Sequence, residues 1–178
     1  MQKDFGTIDL NDILSDSAEL SPSVYQYYKG LQNRRIIIND DIMPDILESA
    51  ILPLIEMDND GSGKEIEIIL YSGGGDVYSG FALVDVIEKL KTPTTIKIFG
   101  MAASMACLIA MSHALNDNVK TICSKFSVGL IHGGSQYLQG STYQVRDTYK
   151  FSERYEERIK DYILSHTKIS EEMYRDIE

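Results

Sequence analysis

Apolar and polar positions along the chain follow two periods in turn, and their order predicts strands and helices in succession. Residues 65–71, EIEIILY, have the β-branched, two-residue alternation of a strand, and residues 77–90 place apolar side chains at helical spacing. Residues 94–100, TTIKIFG, are the next predicted strand, and residues 102–113 the next helix. Alternating strands and helices predict an α/β fold, with a mainly parallel sheet and helices on its faces.

Further segments extend this pattern in both directions. The run at 34–40, RRIIIND, predicts an earlier strand, and apolar residues at helical spacing over 42–57 predict a helix after it. Residues 119–132 contain two short predicted strands, and residues 141–165 form a long charged helix with a thin apolar seam. Because such a helix buries little of itself, we expect it to project from the domain and to meet a partner.

Composition limits the domain organisation and the location. A chain of 178 residues with 43% apolar and 25% charged residues is long enough for one well-buried domain. Residues 1–23 are polar and aperiodic, so we expect an N-terminal arm there and one domain over 24–178. The N-terminus lacks the apolar core of a secretory signal. The two cysteines, Cys107 and Cys123, lie in apolar segments, which indicates free thiols in a reducing compartment. These features predict a cytoplasmic protein.

Charge and hydropathy exclude two classes of partner. The net charge of −10 and the absence of a basic cluster argue against a nucleic-acid partner, which would require a basic face. The uncharged stretch at 98–115 is at the short limit for a membrane span and is only weakly apolar, so a buried helix is predicted there. Neither a nucleic acid nor a membrane is expected as a partner.

A possible calcium loop at residues 58–69, DNDGSGKEIEII, does not satisfy the chemistry of such a site. Asp58 and Asp60 occupy the first and third ligand positions, but Ile69 stands at position 12, where a bidentate carboxylate is needed. The segment is therefore interpreted as a turn between helix and strand, and no metal site is predicted.

Two small-residue segments follow predicted strands and could carry chemistry. The glycines of SGGGD, residues 72–76, form either a simple tight turn or a loop whose amides face a transient oxyanion. Ser104 is either a small residue at a crowded helix crossing or a nucleophile, with the Met105 N–H as a neighbouring oxyanion donor. His132, at the carboxyl end of a predicted strand, is the best-placed base, although a lone histidine is more often structural than catalytic.

The order SGGGD, GMAASMA, LIHGG and QGST resembles the Clp protease proteolytic subunit family, serine peptidases that form barrels under AAA+ unfoldases. The resemblance covers roughly residues 24–178. It implies a crotonase-like spiral of βαβ units with residues 141–165 as a projecting handle helix. Tyr71 and Gly73 stand where the family usually has asparagine and proline, which indicates a divergent paralogue.

The resemblance also implies roles for individual residues. Ser104 corresponds to the nucleophile, His132 to the general base and Asp176 to the third member of the triad, with the amides of Gly75 and Met105 as the oxyanion hole. The implied function is a serine endopeptidase that hydrolyses unfolded polypeptides through an acyl-enzyme. The implied assembly is heptameric rings, paired into a tetradecamer, with an AAA+ unfoldase. No cofactor is expected, since only the unfoldase uses ATP.

Two other functions remain open from the sequence. The altered glycine loop is compatible with a catalytically inactive barrel subunit that supplies structure or partner contacts. An acyl-CoA enzyme of the crotonase group would share the fold, but it requires a carboxylate base and gives no role to Ser104 or His132.

Overall fold

The computed structural model describes residues 21–176. Most of the arm predicted for residues 1–23 therefore lies outside the described residues, whereas Pro22 and Ser23 belong to the first helix. Ser21 caps this helix, because its hydroxyl accepts a hydrogen bond from the Val24 N–H at 3.3 Å.

The described elements are, in chain order, α1 (Pro22–Gln32), β1 (Arg35–Ile38), a π-helical turn (Leu47–Ile51), α2 (Leu52–Asn59), β2 (Ile66–Ser72), α3 (Val77–Glu88), β3 (Thr94–Ala103), α4 (Met105–Met111), a 3₁₀ turn (Ser112–Leu115), β4 (Val119–Cys123), β5 (Val128–Leu130), α5 (Thr142–His166) and α6 (Glu171–Arg175).

The strands form one parallel sheet, as the alternating pattern predicts. The order is β1-β2-β3-β4, and β5 pairs with the last residues of β3, with Met101 opposite Val128 and Ala103 opposite Leu130. Because β3 is longer than its neighbours, its carboxyl end extends past β4 and is supported by β5. The residues that follow β3 and β5 therefore emerge close together, at the edge where open α/β sheets place their sites.

The core lies between one face of the sheet and the helices α3 and α4. Ile66, Ile68 and Leu70 of β2 point to this face and are fully buried, and Leu83 and Ile109 from the two helices are buried with them. Burying a side chain of this size stabilises the fold by about 1.5–3 kcal/mol, so this alternation fixes the register of β2.

A charged cluster occupies the opposite face of the sheet. Glu67 on β2 forms ion pairs with Arg35 on β1 and Lys97 on β3. Partial burial alone would raise the pKa of Glu67, but the hydrogen bonds from Lys97 and Arg35 outweigh it and hold that pKa below its usual value. The cluster thus ties three adjacent strands together in its ionised form.

The helix predicted for 42–57 begins later than the pattern indicates, and this part of the prediction was wrong. Ile42 instead forms an isolated parallel bridge with Gly75, and the helical conformation starts at Ile46, just before the π-helical turn at Leu47–Ile51. Pro53 explains the irregular turn, because it has no N–H to donate to the carbonyl four residues earlier.

The long helix α5 matches the prediction for 141–165 within one residue at each end. Its 25 residues span about 37 Å at ~1.5 Å per residue. A capping box between Ser141 and Gln144 starts the helix. Its first ten residues are exposed apart from the half-buried Val145, and its second half packs on the domain through Ile163.

Candidate active site

Ser104 occupies a sharp turn between β3 and α4. Its backbone has φ of 51° and ψ of −126°, and Arg34 is the other non-glycine residue with positive φ in the described chain. Such a conformation is costly for a residue with a Cβ, so it persists only where the surroundings hold it. Here the Ser104 N–H donates to the Leu130 carbonyl of β5 at 2.8 Å. The turn leaves the side chain half-buried at the sheet edge.

The glycine loop after β2 passes directly over this turn. A Cβ on Gly74 would lie 2.6 Å from the Ser104 Cβ and 2.8 Å from the Ala103 carbonyl oxygen, and its φ is +104°. Both the space and the backbone conformation therefore require glycine at this position. A loop that served only as a tight turn would not need a residue without a Cβ beside Ser104.

The bridge to Ile42 sets the direction of the Gly75 amide. The Ile42 N–H donates to the Gly74 carbonyl at 2.8 Å, and the Asp76 N–H donates to the Ile42 carbonyl at 2.7 Å. In this parallel bridge, the hydrogen bonds to Ile42 are made by Gly74 and Asp76, the neighbours of Gly75. The N–H of Gly75 itself therefore points away from Ile42. Because Ile42 follows β1, the Gly75 N–H points away from the β1 side, in the direction in which β2 pairs with β3.

A second amide comes from the start of α4. Met105 is the first helical residue, so its N–H has no acceptor within the helix. Within residues 21–176, neither this N–H nor that of Gly75 has a hydrogen-bond acceptor. Both amides are therefore available as donors, but Met105 lines the same cavity as Ser104, whereas Gly75 lines the adjoining one.

His132 lies two residues beyond β5, with an exposed side chain. Its Nδ1 is 2.7 Å from the Gly133 carbonyl oxygen. Because a carbonyl can only accept, Nδ1 must carry the proton in this contact, which leaves the Nε2 lone pair of the neutral ring available. The ring therefore has the tautomer that a general base needs.

Ser104, Met105 and His132 line one small cavity of about 80 Å³. Apolar side chains supply much of the rest of its wall: Val77, Leu108, Ile131, Ile159 and Ile163. No hydrogen bond joins the Ser104 hydroxyl to the His132 ring in the described residues. The structure places the predicted nucleophile and base at the same cavity without a hydrogen bond between them.

Asp176 does not line this cavity, and no hydrogen bond joins its carboxylate to His132 among the described residues. It lies at the end of α6, where its N–H donates to the Tyr174 carbonyl. Tyr174 is the α6 residue that lines the cavity. Residues two apart on a helix point to opposite sides, so this packing turns the Asp176 side chain away.

The structure adds cavity residues from α5 that the motifs do not include. Glu156 and Ile159 line the cavity together with Ile163, so their spacing of three and four residues puts them on one helix face. The thin apolar seam of this helix was the available sequence signal for these cavity residues, but Glu156 is a charged residue within that seam. Its side chain is exposed.

Cys107, three residues after Ser104, is a nearby alternative nucleophile that the structure does not favour. Burial, followed by the neighbouring Cys123, raises the pKa of the Cys107 thiol. Because the thiolate is the reactive form, a raised pKa keeps this thiol protonated at neutral pH.

Among residues 21–176, no group of three or more His, Cys, Asp or Glu side chains could hold a metal ion, and no helix there is long and apolar enough to cross a membrane.

Comparisons with known proteins identify the family of the chain. The family model for Clp protease matches residues 18–178. The chain is 27% identical over 153 residues to the ATP-dependent Clp protease proteolytic subunit of Deinococcus radiodurans, covering 85% of this chain and 74% of that protein. It is 26% identical over 153 residues to the ATP-dependent Clp protease proteolytic subunit 2 of Treponema pallidum, covering 86% of this chain and 75% of that protein. It is 29% identical over 100 residues to the ATP-dependent Clp protease proteolytic subunit of Cyanophora paradoxa, covering 56% of this chain and 52% of that protein. The α/β chain with its parallel sheet belongs to the Clp protease family.

Proposed function

We propose that the chain is a serine endopeptidase subunit that hydrolyses peptide bonds of unfolded polypeptides through an acyl-enzyme. The family supports a peptidase role. The observation that carries the proposal is the Ser104 turn: a strained serine, followed by the unpartnered Met105 amide, shares a cavity with a histidine whose Nε2 is free. The Gly75 amide, which is also unpartnered, belongs to a residue that lines the adjoining larger cavity.

In the proposed reaction, His132 Nε2 accepts the Ser104 hydroxyl proton as the oxygen attacks the peptide carbonyl. The carbonyl oxygen becomes an oxyanion, and the amides of Gly75 and Met105 donate to it; each such donor contributes about 10²–10³ in rate. The amine then leaves with the proton from His132. Water hydrolyses the acyl-enzyme by the same route, and no cofactor takes part.

The third member of the triad remains a prediction at Asp176. In the described conformation the Gly133 carbonyl holds the His132 tautomer. Asp176 would have to replace that carbonyl at Nδ1 to act as the triad carboxylate, and this would require α6 to turn, since Tyr174 now faces the cavity.

Intact-mass spectrometry after exposure to a fluorophosphonate tests the proposal. We expect one adduct on the wild type, no adduct on Ser104→Ala, and labelling slowed by about 10²-fold or more on His132→Ala, because the base is lost. His113→Ala is the matched control, since this exposed histidine follows α4 and touches no part of the cavity. Labelling of Ser104→Ala at the wild-type rate would refute the assignment.

One observation favours a second function, a catalytically inactive structural subunit. No hydrogen bond links the Ser104 hydroxyl to His132 in the described residues. An inactive subunit would assemble normally, give no adduct and hydrolyse no peptide. An adduct on Ser104 excludes this alternative.

We further propose that the chain assembles into heptameric rings, paired as a tetradecamer through α5, and receives substrate from an AAA+ unfoldase in the cytoplasm. Support comes from the relatives, which are named as proteolytic subunits of an ATP-dependent protease. The exposed first half of α5, with Tyr143 at 78% exposure, is the surface that such pairing would cover. Sedimentation as a monomer at all concentrations would contradict this assembly.

A further inference from the structure

A second, larger cavity adjoins the one that holds Ser104 and His132. It has a volume of about 260 Å³ and lies between the loop before α3, the loop after His132 and the middle of α5. Val77, Gly134, Glu156 and Ile159 line both cavities, so the two spaces are neighbours across these residues. A peptide held at Ser104 would therefore place an adjacent side chain in the larger one, here called the side cavity.

The charge in the side cavity is negative. Asp76 and Glu156 line it, and no lysine or arginine of the described chain does. The Asp76 carboxylate is already engaged, since its Oδ1 accepts from the N–H of Ser79 at 2.8 Å and from the hydroxyl of Ser79 at 2.6 Å. Glu156, by contrast, forms no ion pair with any residue from 21 to 176. Its charge is available to a ligand.

Aromatic rings add a second feature that suits a cation. Tyr78 and Tyr155 line the side cavity, with their ring centroids 5.0 Å apart and their planes tilted by 54°. The faces of such rings attract ammonium and guanidinium groups, and their apolar surface suits the methylene stem of a lysine or arginine. Burial and the neighbouring Tyr78 raise the pKa of Tyr155, so this phenol stays neutral.

Polar groups without charge complete the lining. Gln136 and Ser152 line the cavity, and the Ser152 hydroxyl donates to the Gln136 side-chain oxygen at 2.5 Å. This contact joins the loop after His132 to α5. The space thus combines a free carboxylate, aromatic faces and hydrogen-bonding groups, which is a poor match for an acidic side chain.

We propose that the side cavity is a specificity site, in which Glu156 binds the lysine or arginine side chain of a residue next to the scissile bond. This inference rests on the proposed peptidase function and names its substrate class. Glu156 is a binding residue in this account and takes no part in proton transfer. Substrates with basic residues beside the cleaved bond are preferred, and those with acidic residues are rejected.

Internally quenched peptides that differ at one position beside the central bond test the inference on the assembled enzyme. Lys, Arg, Gln, Leu and Glu are compared at that position, on either side of the bond, with cleavage sites confirmed by mass spectrometry. We expect kcat/KM for Lys and Arg to exceed that for Gln by about tenfold, a difference of ~1.4 kcal/mol. Glu156→Gln should remove this preference, chiefly through KM, by lowering kcat/KM for the Lys and Arg peptides far more than for the Leu peptide.

Glu157→Gln is the matched control, because it removes the same charge from the next residue of α5 but lines neither cavity. It should keep the wild-type preference. An enzyme that labels with fluorophosphonate but cleaves the Leu peptide best overturns the specificity inference alone. Equal loss for all peptides in Glu156→Gln also overturns it, because Glu156 would then position His132. Absence of both labelling and cleavage refutes the peptidase function, and the inference with it.

Discussion

Substitution of Gly74 by alanine tests the close packing that holds Ser104 in its turn. The added Cβ would lie 2.6 Å from the Ser104 Cβ, 2.8 Å from the Ala103 carbonyl oxygen and 3.0 Å from the Met105 nitrogen. Two of these three atoms belong to the backbone of β3 and α4, so they cannot move aside as a flexible side chain would. Gly74→Ala should therefore displace the turn itself.

The magnitude follows from two contributions. A residue with a Cβ at φ of +104° costs of order 1–3 kcal/mol in backbone strain, and overpacking a tight site costs a further ~1–3 kcal/mol. The free energy of unfolding should fall by about 2–6 kcal/mol, which lowers the urea midpoint by ~1–3 M at a slope of about 2 kcal/mol per M. Fluorophosphonate labelling of Ser104 should slow in parallel, measured under conditions where the variant is folded.

Gly73→Ala is the control, because its added Cβ meets nothing within 4 Å and its φ is not in the left-handed region. A surface change of this kind alters stability by no more than about 0.5 kcal/mol, so urea midpoint and labelling should match the wild type. If Gly74→Ala and Gly73→Ala behave alike in both assays, the glycine loop does not pack against Ser104 as described.

The remaining predictions concern the frame around the site. Tyr162→Phe removes a 3.1 Å hydrogen bond from the phenol to the Leu108 carbonyl and should lower the free energy of unfolding by about 1 kcal/mol in urea; an unchanged midpoint would show that the bond does not anchor α5. Asn116→Ala removes the amide that donates to three carbonyls at the end of α3, and should cost ~1–3 kcal/mol, read as a lower melting temperature. Glu67 has a lowered pKa in the folded protein, so its ion pairs stabilise the fold above the unfolded-state pKa, and this stabilisation is lost as the pH falls through the folded-state pKa. Glu67→Gln should therefore lower the melting temperature more at pH 7 than in acid. An equal loss at both pH values would contradict the role of the ion pair with Lys97.

Most of the sheet could be predicted because its signals are local. Ile66, Ile68 and Leu70 alternate with more exposed residues, and that period defines β2 without knowledge of its neighbours. Ile42 shows the opposite case, since its apolar character fits a helix. Its bridge to Gly75 depends on a loop more than 30 residues away, and no local pattern contains that contact.

The site shows the same division. Ser104 and His132 could be placed at one edge because both follow parallel strands, whose carboxyl ends lie together. The orientation of α6 could not be predicted, because it depends on whether Tyr174 or Asp176 packs inward. Glu156 was missed for a related reason: a charged residue within a thin apolar seam resembles a solvent-exposed position until the cavity beside it is known.

The proposed function requires that Ser104 forms an acyl-enzyme with a substrate. Reaction with an activated peptide ester, quenched in acid within the first turnover and followed by proteolytic mapping, tests it most directly. If Ser104 is the nucleophile, the acyl mass lies on the peptide that contains Ser104 and is absent from Ser104→Ala. Hydrolysis of the ester with acylation at another residue, or with none at all, would contradict it.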